Sequence, residues 1–215
     1  VSISGNTDYA ISGDGILDFT NVDINDNGGY GITSSGTKYF NTVNINSNGS
    51  FGVSGSGAVT LDSVVVRDNT GTGFTGFTDS FNANNVTISG NNNGGIIGSG
   101  IVTLETTYID SNSTGNNGGG ANVNGSITMN NTRFSGNHSG ASGGGIYLSG
   151  ELTSTSSDVD QNTASSQGGG IWLSGNGDVL NTSVDENSAF SNGGGSYING
   201  SLFAKHTTFN NNHTD

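Results

Sequence analysis

The chain has 215 residues, 29% of them hydrophobic and only 10% charged, with a formal net charge of −13. Its four cations, Lys38, Arg67, Arg133 and Lys205, are too few and too scattered for a phosphate backbone or an anionic membrane surface. There is no cysteine, hence no disulfide or Cys-bound zinc, and no apolar run is long enough to span a bilayer; neither nucleic-acid binding nor membrane insertion is expected.

A disordered chain of such low hydrophobicity would carry far more charge. The missing mass is instead Gly (39 residues), Asn, Ser and Thr, a mixture suited to many tight turns around a thin core. From the N-terminus onward, an apolar residue, two small or polar residues and then Asn recur. The asparagines are Asn6, Asn27, Asn48, Asn69, Asn91, Asn112, Asn137, Asn162, Asn187 and Asn212. Three residues before them stand Ile3, Ile24, Ile45, Val66, Ile88, Ile109, Phe134, Val159, Val184 and Phe209. The intervals are 21, 21, 22, 21 and 21 residues, then 25 four times.

Strand signals with period two lie at fixed distances from each Asn. Inward positions ten and eight residues before it hold Leu17 and Phe19, Val59 and Leu61, Val102 and Leu104. Positions five and three before it hold Val22 and Ile24, Val43 and Ile45, Val64 and Val66. The segment after the Asn supplies a third side: Tyr30 and Ile32, Phe51 and Val53, Ile146 and Leu148, Ile171 and Leu173, Ser196 and Ile198. No window shows a helical period. The expected fold is all-β: a right-handed parallel β-helix with three short strands per coil and about ten coils. Stacking would bury one apolar column, with strands about 4.8 Å apart and a rod roughly 43 Å long. The asparagines would form a structural ladder at one corner.

Residues 1–215 read as a single domain, with short coils over 1–112 and long coils over 113–215. In the second half, glycine triplets begin at Gly118, Gly143, Gly168 and Gly193, and the strand that follows starts about four residues later after the Asn than in the first half. The insertion therefore lies in one turn, as is usual in stacked repeats. Val1 already occupies the position five before the first Asn, and no polar cap is evident. The expectation is a segment of a longer rod, or end-to-end contact with further coils or another subunit.

Phe134-Ser135-Gly136-Asn137 followed by Gly143-Gly144-Gly145-Ile146 resembles the paired Phe-x-x-Asn and Gly-Gly-Ala-aliphatic motifs of polymorphic outer-membrane proteins. Phe209-Asn210-Asn211-Asn212 repeats the first motif, and Gly169-Gly170-Ile171 resembles the second with Gly for Ala. The match covers about residues 112–215. The one Gly-Gly-Ala, Gly119-Gly120-Ala121, is followed by Asn122 and not by an aliphatic residue, and the chain lacks the transporter barrel and the cysteines of that family. The resemblance implies an autotransporter-like passenger β-helix, extracellular or at the cell surface, acting as an adhesin or surface rod. It carries over no catalytic residue.

Two outward features are candidate sites. In the long coils Tyr147, Trp172 and Tyr197 each lie between two inward residues, Asn122 preceding them in the same column. Three aromatics in consecutive coils suit a binding platform for a glycan or a surface protein, or simple cross-strand stacking. The second feature is acidic: Asp158, Asp160, Asp185 and Glu186, with Asp110 and Asp160 flanking Ser135. Asp158, Asp160 and Asp185 are the catalytic candidates of a polysaccharide lyase or hydrolase. The four acids are a weak Ca²⁺ candidate, and no other cofactor is expected. A cross-coil ion pair between Arg133 and Asp158 is expected. His138, His206 and His213 read as surface residues. Ice binding needs a flat Thr array; Thr60, Thr103, Thr128 and Thr153 form one only partly, interrupted by Asn82 and Asp178. Several Asn-x-Ser/Thr sites occur, at Asn48, Asn85, Asn124, Asn181 and Asn199; modification of the ladder residue Asn48 would clash with stacking. The reading favoured by the whole-chain periodicity is a non-catalytic structural or adhesive rod.

Overall fold

The computed structural model describes residues 1–215 and contains strands, turns and bends but no helix. Every strand pairs in parallel with its equivalent one coil along, so the chain is a parallel β-solenoid. Ile24, Ile45, Val66, Ile88, Ile109, Phe134, Val159 and Val184 are all 0% exposed and form one column of a continuous core.

The ladder runs through all ten asparagines. Each Nδ2 donates to the Oδ1 of the next Asn, at 2.8 to 3.1 Å over nine links. The same Oδ1 also accepts the backbone N–H of the preceding Asn, as from Asn112 to Asn137 at 3.0 Å. From Asn27 onward, Nδ2 donates to a second acceptor, the carbonyl of the apolar residue three before the previous Asn; Asn137 to Ile109 O is 2.8 Å. Two donors and two acceptors are thus satisfied in each interior rung, which is the whole capacity of an amide side chain. Only that saturation makes a column of buried polar groups tolerable.

The corners are set by left-handed residues. The residue just before the ladder Asn has positive φ in Asp26, Ser47, Asp68, Ser111, Gln161 and Glu186. Another left-handed position precedes it: Asn21 and Thr42 fall within the strands Leu17–Asn25 and Lys38–Asn46, and Asn85 and Asn131 separate two strands. Short polar side chains that bond locally suit these positions, whereas a β-branched Thr42 there is strained.

The four-residue insertion becomes structure of its own. Ser113–Thr114, His138–Ser139, Thr163–Ala164, Ser188–Ala189 and His213–Thr214 form a second, five-stranded parallel sheet. Its inner residues Thr114, Ser139, Ala164 and Ala189 are buried. The long coils therefore add a short fourth strand to the three expected. Their other two leading strands merge into ten-residue elements such as Ile146–Thr155, bent where Gly150 has φ 142°.

The glycine triplets have two separate causes. The first glycine is left-handed, with φ of 69° at Gly143. The third passes against the ladder: a Cβ on Gly145 would lie 2.7 Å from Gly170 O and 3.0 Å from Asn162 Nδ2. The single 22-residue interval is a bulge. The register shifts between Ile97 and Gly98, and the extra residue lets Phe77 turn inward over Gly98, where it is 1% exposed.

Two assignments of the third side change. Tyr30 and Phe51 are not core residues. They lie half-buried in the turn before the strand and stack outside the core with Tyr9, centroids 4.9 and 5.2 Å apart. The inward partner of Ile32 is Ser34, 3% exposed. Gly31 and Gly52, which separate the apolar pairs, are turn residues pressed against the ladder, so the apparent alternation begins one step early. The position ten before Asn48 is Lys38, 0% exposed among core residues. Its stem replaces the apolar side chain, and Nζ donates to Gly36 O at 2.8 Å and Ser56 O at 2.7 Å.

Candidate functional site

The aromatic column exists on the outer face of the long coils, where Asn122, Tyr147, Trp172 and Tyr197 stand in register. Tyr147 and Trp172 stack with centroids 4.2 Å apart and planes 9° apart; Trp172 and Tyr197 follow at 6.4 Å and 14°. The rings therefore lie across the rod axis and face one another. All three are half-buried. The first glycine of each triplet folds against the same strand: a Cβ on Gly143 would sit 2.8 Å from Tyr147 Cα. Both faces of Trp172 and one face each of Tyr147 and Tyr197 are covered by a neighbouring ring, so the column presents chiefly ring edges outward. Such stacking stabilises the sheet by about 0.5–1.5 kcal/mol per pair.

The acidic residues gather where the strands Arg133–Ser135, Asp158–Asp160 and Ser183–Asp185 pair. Arg133, Asp158, Asp160, Ser183, Asp185 and Glu186 line an open depression of about 300 Å³. Arg133 does not pair with Asp158 as expected. It reaches back one coil to Asp110, Nη2 to Oδ2 at 2.8 Å, and lies 6.0 Å from the centroid of Tyr108. Asp110 thus gives it a bidentate partner, with Nε also at 3.4 Å, and the hydrogen bond raises the Arg133 pKa.

Asp160 is the most perturbed acid. Burial pushes its carboxyl above the usual carboxylate range, against the lowering effect of the Ser135 hydroxyl, which donates to Oδ2 at 3.1 Å. Its Oδ1 is buried with no partner. Asp185 differs: Ser183 Oγ and the Asn210 N–H both donate to it. Gln161 Nε2 donates to Glu186 at 2.9 Å. Nowhere do three or more His, Asp or Glu side chains converge closely enough to hold a metal ion. His138, His206 and His213 are exposed.

The threonine column reads Thr60, Asn82, Thr103, Thr128, Thr153, Asp178 in register, so the array is broken as the spacing indicated. Of the Asn-x-Ser/Thr sites, Asn48 is 1% exposed and committed to the ladder, whereas Asn85, Asn124, Asn181 and Asn199 are exposed.

Two features escaped the sequence reading. One is a hydroxyl column five residues before the ladder. Val22, Val43, Val64 and Val86 give way to Thr107, Thr132, Ser157 and Thr182, all buried. Their hydroxyls bond to backbone, as Ser157 Oγ donates to Thr155 O at 2.8 Å and accepts the Thr132 N–H at 3.1 Å. The change of residue type at Thr107 was visible. The other is the outer face of the strands over the short coils, where Asp18, Tyr39, Asn41, Asp62, Asn84 and Glu105 form two parallel columns. The same register that located the aromatic column places them.

Comparison with family models, with curated proteins and with solved structures finds no match for this chain.

Proposed function

We propose that the chain is a non-catalytic extracellular or cell-surface rod with a structural and adhesive role, of the type formed by polymorphic outer-membrane protein and autotransporter passengers. The observation that carries this reading is the unbroken ladder. Nine links of 2.8 to 3.1 Å continue through the change from 21-residue to 25-residue coils. A scaffold held this rigidly from its interior leaves its outer columns free to vary, which suits display of side chains to a partner. The recognition surface is the edge of the Tyr147, Trp172 and Tyr197 stack, which offers donors to a glycan or a surface protein.

Trp172 is the only tryptophan, so its fluorescence reports on this column alone. The test is binding to immobilised glycan arrays and to intact cells by the native chain and by Trp172→Ala, with circular dichroism as the control for fold. Weaker binding with an unchanged spectrum supports the reading; equal binding removes the column from it.

A second reading is a polysaccharide lyase or hydrolase acting through Asp158, Asp160 and Asp185. The raised, half-buried carboxyl of Asp160 beside an open depression favours it, because a general acid must keep its proton near working pH. A screen of uronate and neutral polysaccharides, with and without Ca²⁺, that yields no product would count against it. Ice binding has the least support, given the broken threonine column.

A further inference from the structure

The short coils carry a groove unrelated to the aromatic stack. It lies on the outer face of the strands Leu17–Asn25, Lys38–Asn46, Val59–Asp62, Ser80–Asn84 and Ile96–Glu105. Two adjoining depressions, about 190 and 260 Å³, share Thr60 and Asp62 and run along the rod. One wall is the column Asp18, Tyr39, Thr60, Asn82, Thr103. The other is Asn41, Asp62, Asn84, Glu105, two residues further along each strand.

The walls differ. The second is tied together lengthwise: Asn41 and Asn84 both donate to Asp62, at 3.4 and 2.8 Å, and Asn130 donates to Glu105 at 2.6 Å. It is a preorganised row of amides and carboxylates. On the first wall, the side chains of Thr60, Asn82 and Thr103 form no hydrogen bond within the chain, while each contributes to the lining of a depression. Tyr39 is 46% exposed. Its column neighbours are Asp18 and Thr60, not other rings, so unlike Trp172 it has no ring stacked on either face.

We propose that this groove binds a neutral oligosaccharide lying along the rod axis, about one sugar ring per coil. An open aromatic face takes the apolar face of a pyranose, and unengaged amide and hydroxyl groups take its hydroxyls. The coil spacing of about 4.8 Å is close to the length of one pyranose unit, whereas an extended peptide advances by about 3.3–3.4 Å per residue and falls out of step. The strands' backbone groups are already paired between coils, which closes the route of strand addition. Asp18, Asp62 and Glu105 repel uronates and sulfated chains. The groove spans roughly 19 Å over four coil steps, room for about four sugars. This site does not depend on the edge of the aromatic stack, and its failure would leave that reading standing.

The test is titration of the native chain with cellotetraose, mannotetraose and xylotetraose, and with tetragalacturonate as the anionic control, followed by saturation-transfer NMR and calorimetry. At least one neutral tetrasaccharide should bind saturably and tighter than its disaccharide, and tetragalacturonate should not bind. Tyr39→Ala should weaken binding about tenfold and Asn82→Ala severalfold, with unchanged circular dichroism, while Phe190→Ala, an exposed aromatic outside the groove, leaves it unchanged. Absence of saturable binding by all three neutral probes overturns the proposal. So does preference for the uronate, or affinity that stays within about twofold in both groove variants. Loss in Trp172→Ala alone would move the glycan to the aromatic stack.

Discussion

The short coils before Asn112 and the long coils after it share one corner and differ almost everywhere else. The ladder has the same geometry in both: Nδ2 to Oδ1 is 2.9 Å from Asn48 to Asn69 and 2.9 Å from Asn137 to Asn162. Around it, a valine column becomes a hydroxyl column, a five-stranded sheet of two-residue strands is added, and the aromatic stack moves. In the first half it occupies the turn, at Tyr9, Tyr30 and Phe51; in the second it lies on the strand, at Tyr147, Trp172 and Tyr197. The difference teaches that a coil need not keep its length or its core chemistry, provided one corner keeps its register. Four extra residues in one turn are absorbed because each coil touches only its neighbours. The switch to hydroxyls begins at Thr107, in the last short coil, one coil ahead of the added length, and nothing in the structure explains that offset.

The largest effect is expected at the corner. Asn112→Ala leaves the Asn91 backbone N–H and Nδ2 without their acceptor and Ile88 O without its donor, in a site of 0% exposure. Urea unfolding should show a loss of about 3–5 kcal/mol. Asn69→Ala and Asn162→Ala should lose similar amounts if the corner is equivalent in both halves, and a loss below about 1 kcal/mol in either would break the comparison.

Next come the close approaches of backbone to ladder. Gly52→Ala in a short coil and Gly145→Ala in a long one both drive a Cβ into the carbonyl of the next coil, at 2.7 Å in each case. Each should destabilise by about 2–3 kcal/mol in thermal melts. A tolerated alanine in one half alone would show that the two halves pack differently at the corner.

Each core should reject the residue type of the other. Ser157→Ala removes the acceptor of the buried Thr132 N–H and should lose about 1–2 kcal/mol by urea unfolding. Val64→Ser, in the equivalent column of a short coil, should lose at least as much, through a cavity and an unpaired hydroxyl. A neutral outcome for Ser157→Ala would mean that the hydroxyl column is only a permitted substitution for valine.

The smallest effect is a slope. Burial lowers the Lys38 pKa, so between the folded value and the ordinary lysine value the unfolded chain binds more protons than the folded one. Stability should therefore rise with pH across that alkaline window, and fall as pH drops back through the folded pKa. Lys38→Met should flatten this part of the stability curve measured by urea unfolding. The same slope in the variant would assign it to another group.

Much of this was legible along the chain because a solenoid repeats its local rules. The spacing of Ile3, Ile24 and Ile45 from their asparagines, and the common outward register of Tyr147, Trp172 and Tyr197, need only period two and a count. What escaped reading were positions where residue type and environment disagree. Lys38 occupies a core position because its stem is apolar and its ammonium can reach two turn carbonyls. Arg133 chose Asp110 over Asp158 although register sets Asp158 directly beside it and Asp110 only diagonally across, two residues along from its partner Tyr108.

By itself, the sequence determined the parallel coil, the ladder, the two coil lengths and most of the inward and outward columns, because each follows from a period of residue type along the chain. Tertiary structure alone decided how those columns behave. Stacking turned the rings of Tyr147 and Trp172 toward each other and left Tyr39 open; burial raised Asp160; the inserted turns became a sheet. The physical reason is that a period specifies which side of a strand a residue occupies, whereas exposure, ring orientation and hydrogen-bond partner depend on the coils above and below.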